Sequence, residues 1–258
     1  MGLYGIIGDI HGPWNDERAT NLAFDVMEDL GVNHIILNGD ILDFYSINAY
    51  GPKHQDIQTK LEDEINWGKD FLTQLRVRFP KEEIIYIFGN HEYRLDKFIM
   101  ANCPVFWNII KLEKMLGLKD LKIKWVPYNE KYRIGKANLF AQHSPPSYAE
   151  NAANTSFKKK FDVDHIWGCT HRSDRVVKTG SSGKVYTSYI NGWFGDKGII
   201  TDLQARMPEN RRVFQYTKNH EQWNSSFCIV SVDKKKYHVQ QVIIKDYTAV
   251  VGGNLYEG

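Results

Sequence analysis

Cysteine is scarce in this 258-residue chain. Cys103, Cys169 and Cys228 are an odd number with no short regular spacing, which fits a reducing compartment better than a disulfide framework. Long apolar runs are missing too, and none approaches the length of a membrane span. No signal-peptide pattern of basic, apolar and small-residue regions precedes the first apolar stretch, and Ile6 stands where a myristoylation signal requires Ser or Thr. A cytoplasmic protein without a membrane partner is the expectation. An excess of one charge is also lacking, since 33 Lys and Arg against 31 Asp and Glu leave a net charge of +2. The whole-chain balance therefore selects neither nucleic acid nor an anionic surface, and only a local patch can carry such a claim. No internal repeat or low-complexity tract interrupts the sequence.

With 42% hydrophobic and 25% charged residues, the chain is long enough for one sizeable core, and a single domain over 1–258 is expected. Leu3 to Gly8 reads as a buried strand, Asn15 to Leu30 as an amphipathic helix ended by Gly31, and His34 to Leu37 as a second strand. Ile57, Leu61, Ile65, Leu72 and Leu75 mark a second helix ending before Pro80, and Ile84 to Phe88 a third strand. This β-α-β-α-β order predicts parallel pairing with right-handed crossovers. Helical stretches over Tyr93 to Met100 and Val105 to Leu116 precede a strand at Lys122 to Val126 and a hairpin around Gly135. Segment 93–135 is thus either a substrate-facing insert or an ordinary crossover. The last part is strand-rich, with one hairpin through Gly180-Ser181-Ser182-Gly183 and another, Phe227 to Val232 with His238 to Ile244, around Asp233 to Lys236. A long loop over 195–224 and a loose tail from Gly252 to Gly258 complete the reading.

Five clusters of donors each follow a run that reads as a buried strand. They are Gly8-Asp9-Ile10-His11-Gly12, Asn38-Gly39-Asp40-Ile41-Leu42-Asp43, Gly89-Asn90-His91-Glu92, Ala141-Gln142-His143 and Gly168-Cys169-Thr170-His171. Open α/β sheets place their sites at such strand ends. Two divalent ions about 3.5 to 4 Å apart can share a hydroxide, and they need one bridging carboxylate and a few neutral donors that leave positive charge to activate it. Asp9 and His11 can converge on one ion, Asp40 can bridge, and Asn90 and His143 can serve the second. Singly, each of these residues would more readily serve a turn or a helix cap; the ordered set makes metal binding the reading.

That set, Asp-x-His, Gly-Asp, Gly-Asn-His-Glu, His and Gly-x-x-His from Asp9 to His171, resembles the calcineurin-like metallophosphoesterases. The resemblance implies an α/β/β/α sandwich with a mixed central sheet pair and two divalent ions drawn from manganese, zinc, iron and magnesium. It implies that Asp9, His11, Asp40 and His171 hold the first ion, and Asp40, Asn90, His143 and the residue at 169 the second. His91 would be the near-site acid, and Asp43 the carboxylate that orients it; by its charge Asp43 could also raise the His91 pKa and fix its tautomer, the alternative being a turn cap. The family's usual last motif is Gly-His-x-His, so Cys169 is a departure: either a thiolate ligand favouring zinc or iron, or a buried thiol. Arg94, one helical turn after Asn90, and Arg172, just past the last ligand, are candidates for gripping phosphate oxygens, with surface ion pairs as the alternative.

A phosphoester is the substrate this implies. Phe88 and Phe44-Tyr45 stand where protein serine/threonine phosphatases of the superfamily usually carry arginine, which disfavours that branch. Basic runs at Lys158 to Lys160, Arg211-Arg212 and Lys234 to Lys236, with Tyr189, Trp193 and Phe194 read as exposed aromatics, favour a nucleotide or nucleic-acid phosphodiester if they share a face. Otherwise each run is solvated surface. A phosphomonoesterase on another substrate and a non-catalytic interaction protein retaining the fold are the alternatives, and the oligomeric state is open.

Overall fold

The computed structural model describes residues 1–47, 60–148, 151–159, 163–198 and 222–258, with backbone only for 157–159. In one sheet Gly2–Ile7 (β1), His34–Asn38 (β2), Glu83–Ile87 (β3) and Ile123–Val126 (β4) run parallel. Ser225–Asp233 (β10) and Lys236–Ile244 (β11) extend it antiparallel beyond β1. A second sheet joins Tyr132–Arg133 (β5), Leu139–Ala141 (β6), Asp164–Trp167 (β7), Asp174–Thr179 (β8) and Val185–Ile190 (β9) in the order β5-β6-β7-β9-β8, with β6, β7 and β9 parallel.

The layering follows from strands that are apolar on both faces. Ile6, Ile36 and Ile85 lie side by side in register and meet Leu139, Ala141 and Ile166 of the second sheet. Ile7, Leu37, Ile84 and Tyr86 point the other way, against Glu17–Asp29 (α1) and Leu61–Arg78 (α2) through Leu22, Val26, Met27, Leu72 and Leu75. Ala152–Lys159 (α5) covers the outer face of the second sheet, where Ala152 and Ala153 pack on Trp167 and Ile190. The result is the expected α/β/β/α sandwich. Helix α1 starts where Asp16 accepts the Ala19 N–H at 3.0 Å, and Gly31, at φ +65°, follows its end.

Three expectations need correction or restriction. The stretch Val105 to Leu116 is not one helix but a 3-10 turn, Pro104–Phe106, and a short helix, Leu112–Met115 (α4), because Val105, Phe106 and Ile109 find no core to pack on and a helix without a buried stripe is marginal. The tail is not loose. Thr248–Val251 (β12) and Asn254–Glu257 (β13) form a hairpin turning at Gly252-Gly253, φ +59° and +87°, and Tyr256 donates to Asp29 at 2.7 Å. Ala249 and Val251 fill core positions, so the alternation in this short segment carried more information than its position at the terminus. Of the loop read over 195–224 only the ends are described, and Ile57 lies outside the described residues. Segment 93–135 supplies β4 to one sheet and β5 to the other, besides Glu92–Asn102 (α3) and α4. Among the described residues no helix is long and apolar enough to cross a membrane.

Candidate metal centre

Asp9 and His11 follow β1, Asp40 follows β2, Asn90 and His91 follow β3, His143 follows β6, and Cys169 and His171 follow β7. Parallel strands of both sheets thus deliver their donors to one end of the sandwich. The chain must turn sharply to do so: φ is +54° at Asp9, +57° at His11, +50° at Asp40, +71° at Cys169 and +61° at His171. Such left-handed conformations cost a non-glycine residue on the order of 1 to 3 kcal/mol and persist where neighbours over-determine them. Here they are pinned by Asp9 N–H to Gly39 O and His11 N–H to Asp40 O, both 2.9 Å, and by Phe194 N–H to Asp9 O, also 2.9 Å. Gly89 is needed because a Cβ there would overlap the Asp40 carboxylate.

The first cluster joins His11, His171 and Asp9. His11 Nε2 lies 3.1 Å from His171 Nε2, which lies 3.3 Å from Asp9 Oδ1. His11 Nδ1 donates to Asp43 Oδ2 at 2.9 Å, which leaves Nε2 facing the cluster. Burial alone would push His11 down, but Asp43 and Asp9 outweigh it and carry it up to about 10. Burial would raise Asp9, yet His143, His11 and His171 hold it at about 2. His171 is held down by burial, and its ring packs against Trp193 and Trp223.

The second cluster joins Asp40, His143, Cys169 and Asn90. His143 Nε2 is 3.0 Å from Asp40 Oδ2 and 3.1 Å from Asn90 Oδ1, while Nδ1 donates to Asn38 O at 2.7 Å and so fixes the tautomer. The Cys169 thiol sits 2.8 Å from Asn90 Oδ1 and is pushed up by burial against the pull of His143. Burial would raise Asp40 as well, but His143, His91 and His11 hold it well below the carboxylate range. Imidazole nitrogens facing buried carboxylates are a donor set suited to divalent cations, which would displace the protons that His11 and His143 otherwise carry.

Around these clusters the other candidates fall unequally. The carboxylate of Asp43 serves His11, and its backbone carbonyl accepts from His91 Nδ1 at 2.8 Å. Asp43 and Asp40 do push His91 up, but burial is the larger effect and Arg94 adds to it, bringing His91 down to about 3. Asp43 thus raises His91 as expected, and burial with Arg94 outweighs it. Arg94 donates to Asp43 O at 2.8 Å and to His91 Nε2 at 2.7 Å, within the site. Arg172 lies at the rim, donating to Gln222 Oε1 at 3.0 Å and Tyr148 O at 3.2 Å. Tyr189, Trp193 and Phe194 are not the exposed aromatics expected of them: all three are buried, Tyr189 in the apolar cluster between the sheets, and Trp193 and Phe194 where the chain after β9 returns to β1 and Phe194 pairs through its backbone with Asp9 and Asp16. Lys234 to Lys236 form an exposed hairpin turn, while the side chains of Lys158 to Lys160 and Arg211-Arg212 lie outside the described residues.

Sequence reasoning assigned no task to two buried acids. Glu92 accepts from the backbone N–H groups of Asp40, Ile41, Leu42 and Gly89 at 2.7 to 3.1 Å and from the Tyr86 hydroxyl at 2.7 Å, pinning the Asp40 loop. Its place at the start of α3, directly after the donors Asn90 and His91, was the available signal. Glu64 accepts from Tyr45 N at 2.6 Å and Ser46 N at 3.2 Å, fixing the turn after Asp43. Burial pushes Glu64 from 4.5 up to about 7. An acid whose pKa is raised by folding is more protonated in the folded state between those values, so stability falls as pH rises through that window, by at most about 3 kcal/mol. Denaturant unfolding across the window should show this loss in the wild type and its absence in Glu64→Gln; parallel curves would mean that folding leaves Glu64 unperturbed.

Residues 3–173 match the calcineurin-like phosphoesterase family. No curated protein matches the chain. Among solved structures, Chaetomium thermophilum Vps29 aligns at 10% identity over 95% of this chain and 87% of its own, with a TM-score of 0.44. The phosphoesterase Yfce of E. coli aligns at 14% identity over 94% and 100%, TM-score 0.40. A dimetal phosphatase from Danio rerio aligns at 11% over 93% and 95%, TM-score 0.41. The family match covers every donor of both clusters, and this chain belongs to the calcineurin-like phosphoesterases, whose chemistry is metal-dependent hydrolysis of phosphoesters.

Proposed function

We propose that the protein hydrolyses a phosphodiester of a nucleotide or nucleic acid with two divalent cations, one held by Asp9, His11, Asp40 and His171, the other by Asp40, Asn90, His143 and Cys169. The observation that carries this reading is the approach of His11 Nε2 to His171 Nε2, at 3.1 Å, beside a second group in which His143 Nε2 meets Asp40 at 3.0 Å. Two cations, when bound, activate a water and neutralise phosphoryl oxygens. Asp40 lies between the groups, and Asn38 O and Asp43 hold the imidazoles of His143 and His11 in the tautomers that ligation needs. Arg94 grips a phosphate oxygen. In doing so it frees His91 Nε2, which takes up a proton from solvent and then passes it to the departing alkoxide while Nδ1 stays on Asp43 O. The nucleotide reading draws on Tyr93 and Tyr128, stacked at 5.0 Å and 23° next to Arg94 and Ser144, as flat faces for a base. Comparing a dinucleotide, a nucleoside monophosphate and an aryl monoester as substrates tests this; turnover of monoesters alone would replace the diester reading with phosphomonoesterase activity.

His91→Ala should lower kcat by about 10² to 10⁴ at unchanged metal content. The penalty should shrink as the leaving group improves, because a good leaving group needs little protonation. Equal losses across a series of leaving-group pKa values would remove His91 from the role of acid.

Cys169, as a ligand, acts as a thiolate, deprotonated as the cation binds. It donates more charge than an imidazole and favours soft metals. Cys169→His should therefore raise activity with manganese relative to zinc, and Cys169→Ala should weaken the second site while sparing the first. X-ray absorption at the metal edge is the direct measurement. Full occupancy without a sulfur neighbour, together with an unchanged metal preference, would make Cys169 a structural thiol.

A further inference from the structure

Ten successive residues, from Met100 to Ile109, are exposed, and apolar side chains dominate them. Val105 is 77% and Ile109 68% exposed, with Phe106 and Trp107 between them also presented to solvent. This is a built knob. Cys103 N–H bonds Ile99 O at 2.8 Å, Phe106 N–H bonds Cys103 O at 3.0 Å, and Ile109 and Ile110 N–H both bond Phe106 O at 2.9 Å. Ile99 on one side and Leu112 on the other are buried in the core, so the knob projects between two anchors. Soluble proteins rarely leave contiguous apolar surface of this kind without a use for it.

Its charge pattern selects the partner. No Asp or Glu occurs between Asp96 and Glu113, whereas Lys97 and Lys111 flank the apolar run, and the Lys111 ammonium lies 3.9 Å over the Trp107 ring. Between those lysines the only polar side chains are Asn102, Cys103 and Asn108. A protein partner would ordinarily be met by hydrogen-bonding groups around the apolar centre. A bilayer asks for something else: aliphatic and aromatic side chains to enter the acyl boundary, tryptophan at headgroup depth, and basic residues for lipid phosphates. The net charge of +2 supplies no such attraction from the chain as a whole.

We propose that the knob 100–109, with Lys97 and Lys111, docks the protein peripherally on an anionic lipid surface. Helix α3 begins beside His91 and ends at the knob, so docking would hold the metal centre at a fixed height above that surface. The proposal stands apart from the hydrolytic reading.

The test is co-sedimentation of the full chain with vesicles of phosphatidylcholine alone and of phosphatidylcholine mixed with phosphatidylglycerol. The wild type should bind the mixed vesicles, more weakly as salt is added. Val105→Asp and Ile109→Asp should each reduce that binding about tenfold or more while thermal melts and hydrolysis of a soluble aryl phosphodiester stay unchanged. Should an aspartate variant fail to fold, Ile109→Ser provides the same comparison at a milder change. Lys97→Ala with Lys111→Ala should remove the preference for anionic vesicles. A wild type that does not sediment with mixed vesicles overturns the proposal, as do aspartate variants that bind like wild type. Self-association abolished by Ile109→Asp, without vesicle binding, would assign the knob to a second copy of the chain and equally overturn it.

Discussion

Asp40→Asn should strip the protein of both cations and take hydrolysis to background. Asp40 is 1% exposed, its Oδ2 lies 3.0 Å from His143 Nε2 and 3.7 Å from His91 Nε2, and its Oδ1 accepts the His91 N–H at 2.8 Å. Asparagine matches its size and can still accept that N–H, so the loop keeps its shape. What is lost is the negative charge and the second ligating oxygen. Changes to groups that merely support ligands typically cost 10 to 100-fold in metal affinity, and loss of a shared ligand should cost at least about 100-fold at each site. Elemental analysis after saturation with manganese or zinc, on wild type and variant, reads this directly. A variant that keeps one full equivalent would show that Asp40 serves a single ion, and a wild type that never exceeds trace occupancy would end the dinuclear reading.

Glu92→Ala should cost about 3 to 5 kcal/mol of stability, the usual penalty for removing one partner from a buried charged network. Four backbone N–H groups and the Tyr86 hydroxyl lose a common acceptor. Burial and the Asp40 charge push the Glu92 carboxyl up, and the Tyr86 hydroxyl and Leu42 N–H oppose them. In a chain of this length such a loss corresponds to a drop in Tm of about 10 °C. Glu92→Gln retains the volume but turns an amide NH2 towards groups that are themselves donors, so it should fall between. Both variants should also bind metal about 10 to 100-fold less tightly, since the Asp40 loop is no longer held. A Glu92→Ala protein that melts with the wild type would show that the loop is fixed by other means.

The donors were legible because chemistry restricts them so tightly: no other arrangement of turn residues asks for Asp9 and His11, then Asp40, Asn90, His143 and His171, each behind an apolar strand. The strands announced themselves for a related reason, since Ile35 to Leu37 and Ile84 to Ile87 are apolar on both faces and can only be interior. What escaped depended on the third dimension. Glu92 looks like an ordinary first-turn acid until β2 is placed beside β3, which brings the Asp40 loop over it. Trp193 and Phe194 have the composition of a binding surface, and only the pairing of Phe194 with Asp9 reveals that they face inward. The division of labour at Asp43 was likewise invisible, because a single residue there serves His11 with its side chain and His91 with its backbone.

Each donor cluster draws on both sheets: Asp9 and His11 reach His171 across the sandwich, and Asp40 and Asn90 reach His143 and Cys169. A cation seated in either cluster would be a rivet through two plates otherwise joined by apolar packing and a few hydrogen bonds, such as His143 Nδ1 to Asn38 O and Asn191 Nδ2 to Ile6 O. Ligand binding to the closed form raises the work of opening it by RT ln(1 + [L]/Kd), so the proposed cations would make separation of the two sheets depend on free metal concentration. With cations held as proposed, the same chain would be harder to open in a metal-replete solution than in a chelated one.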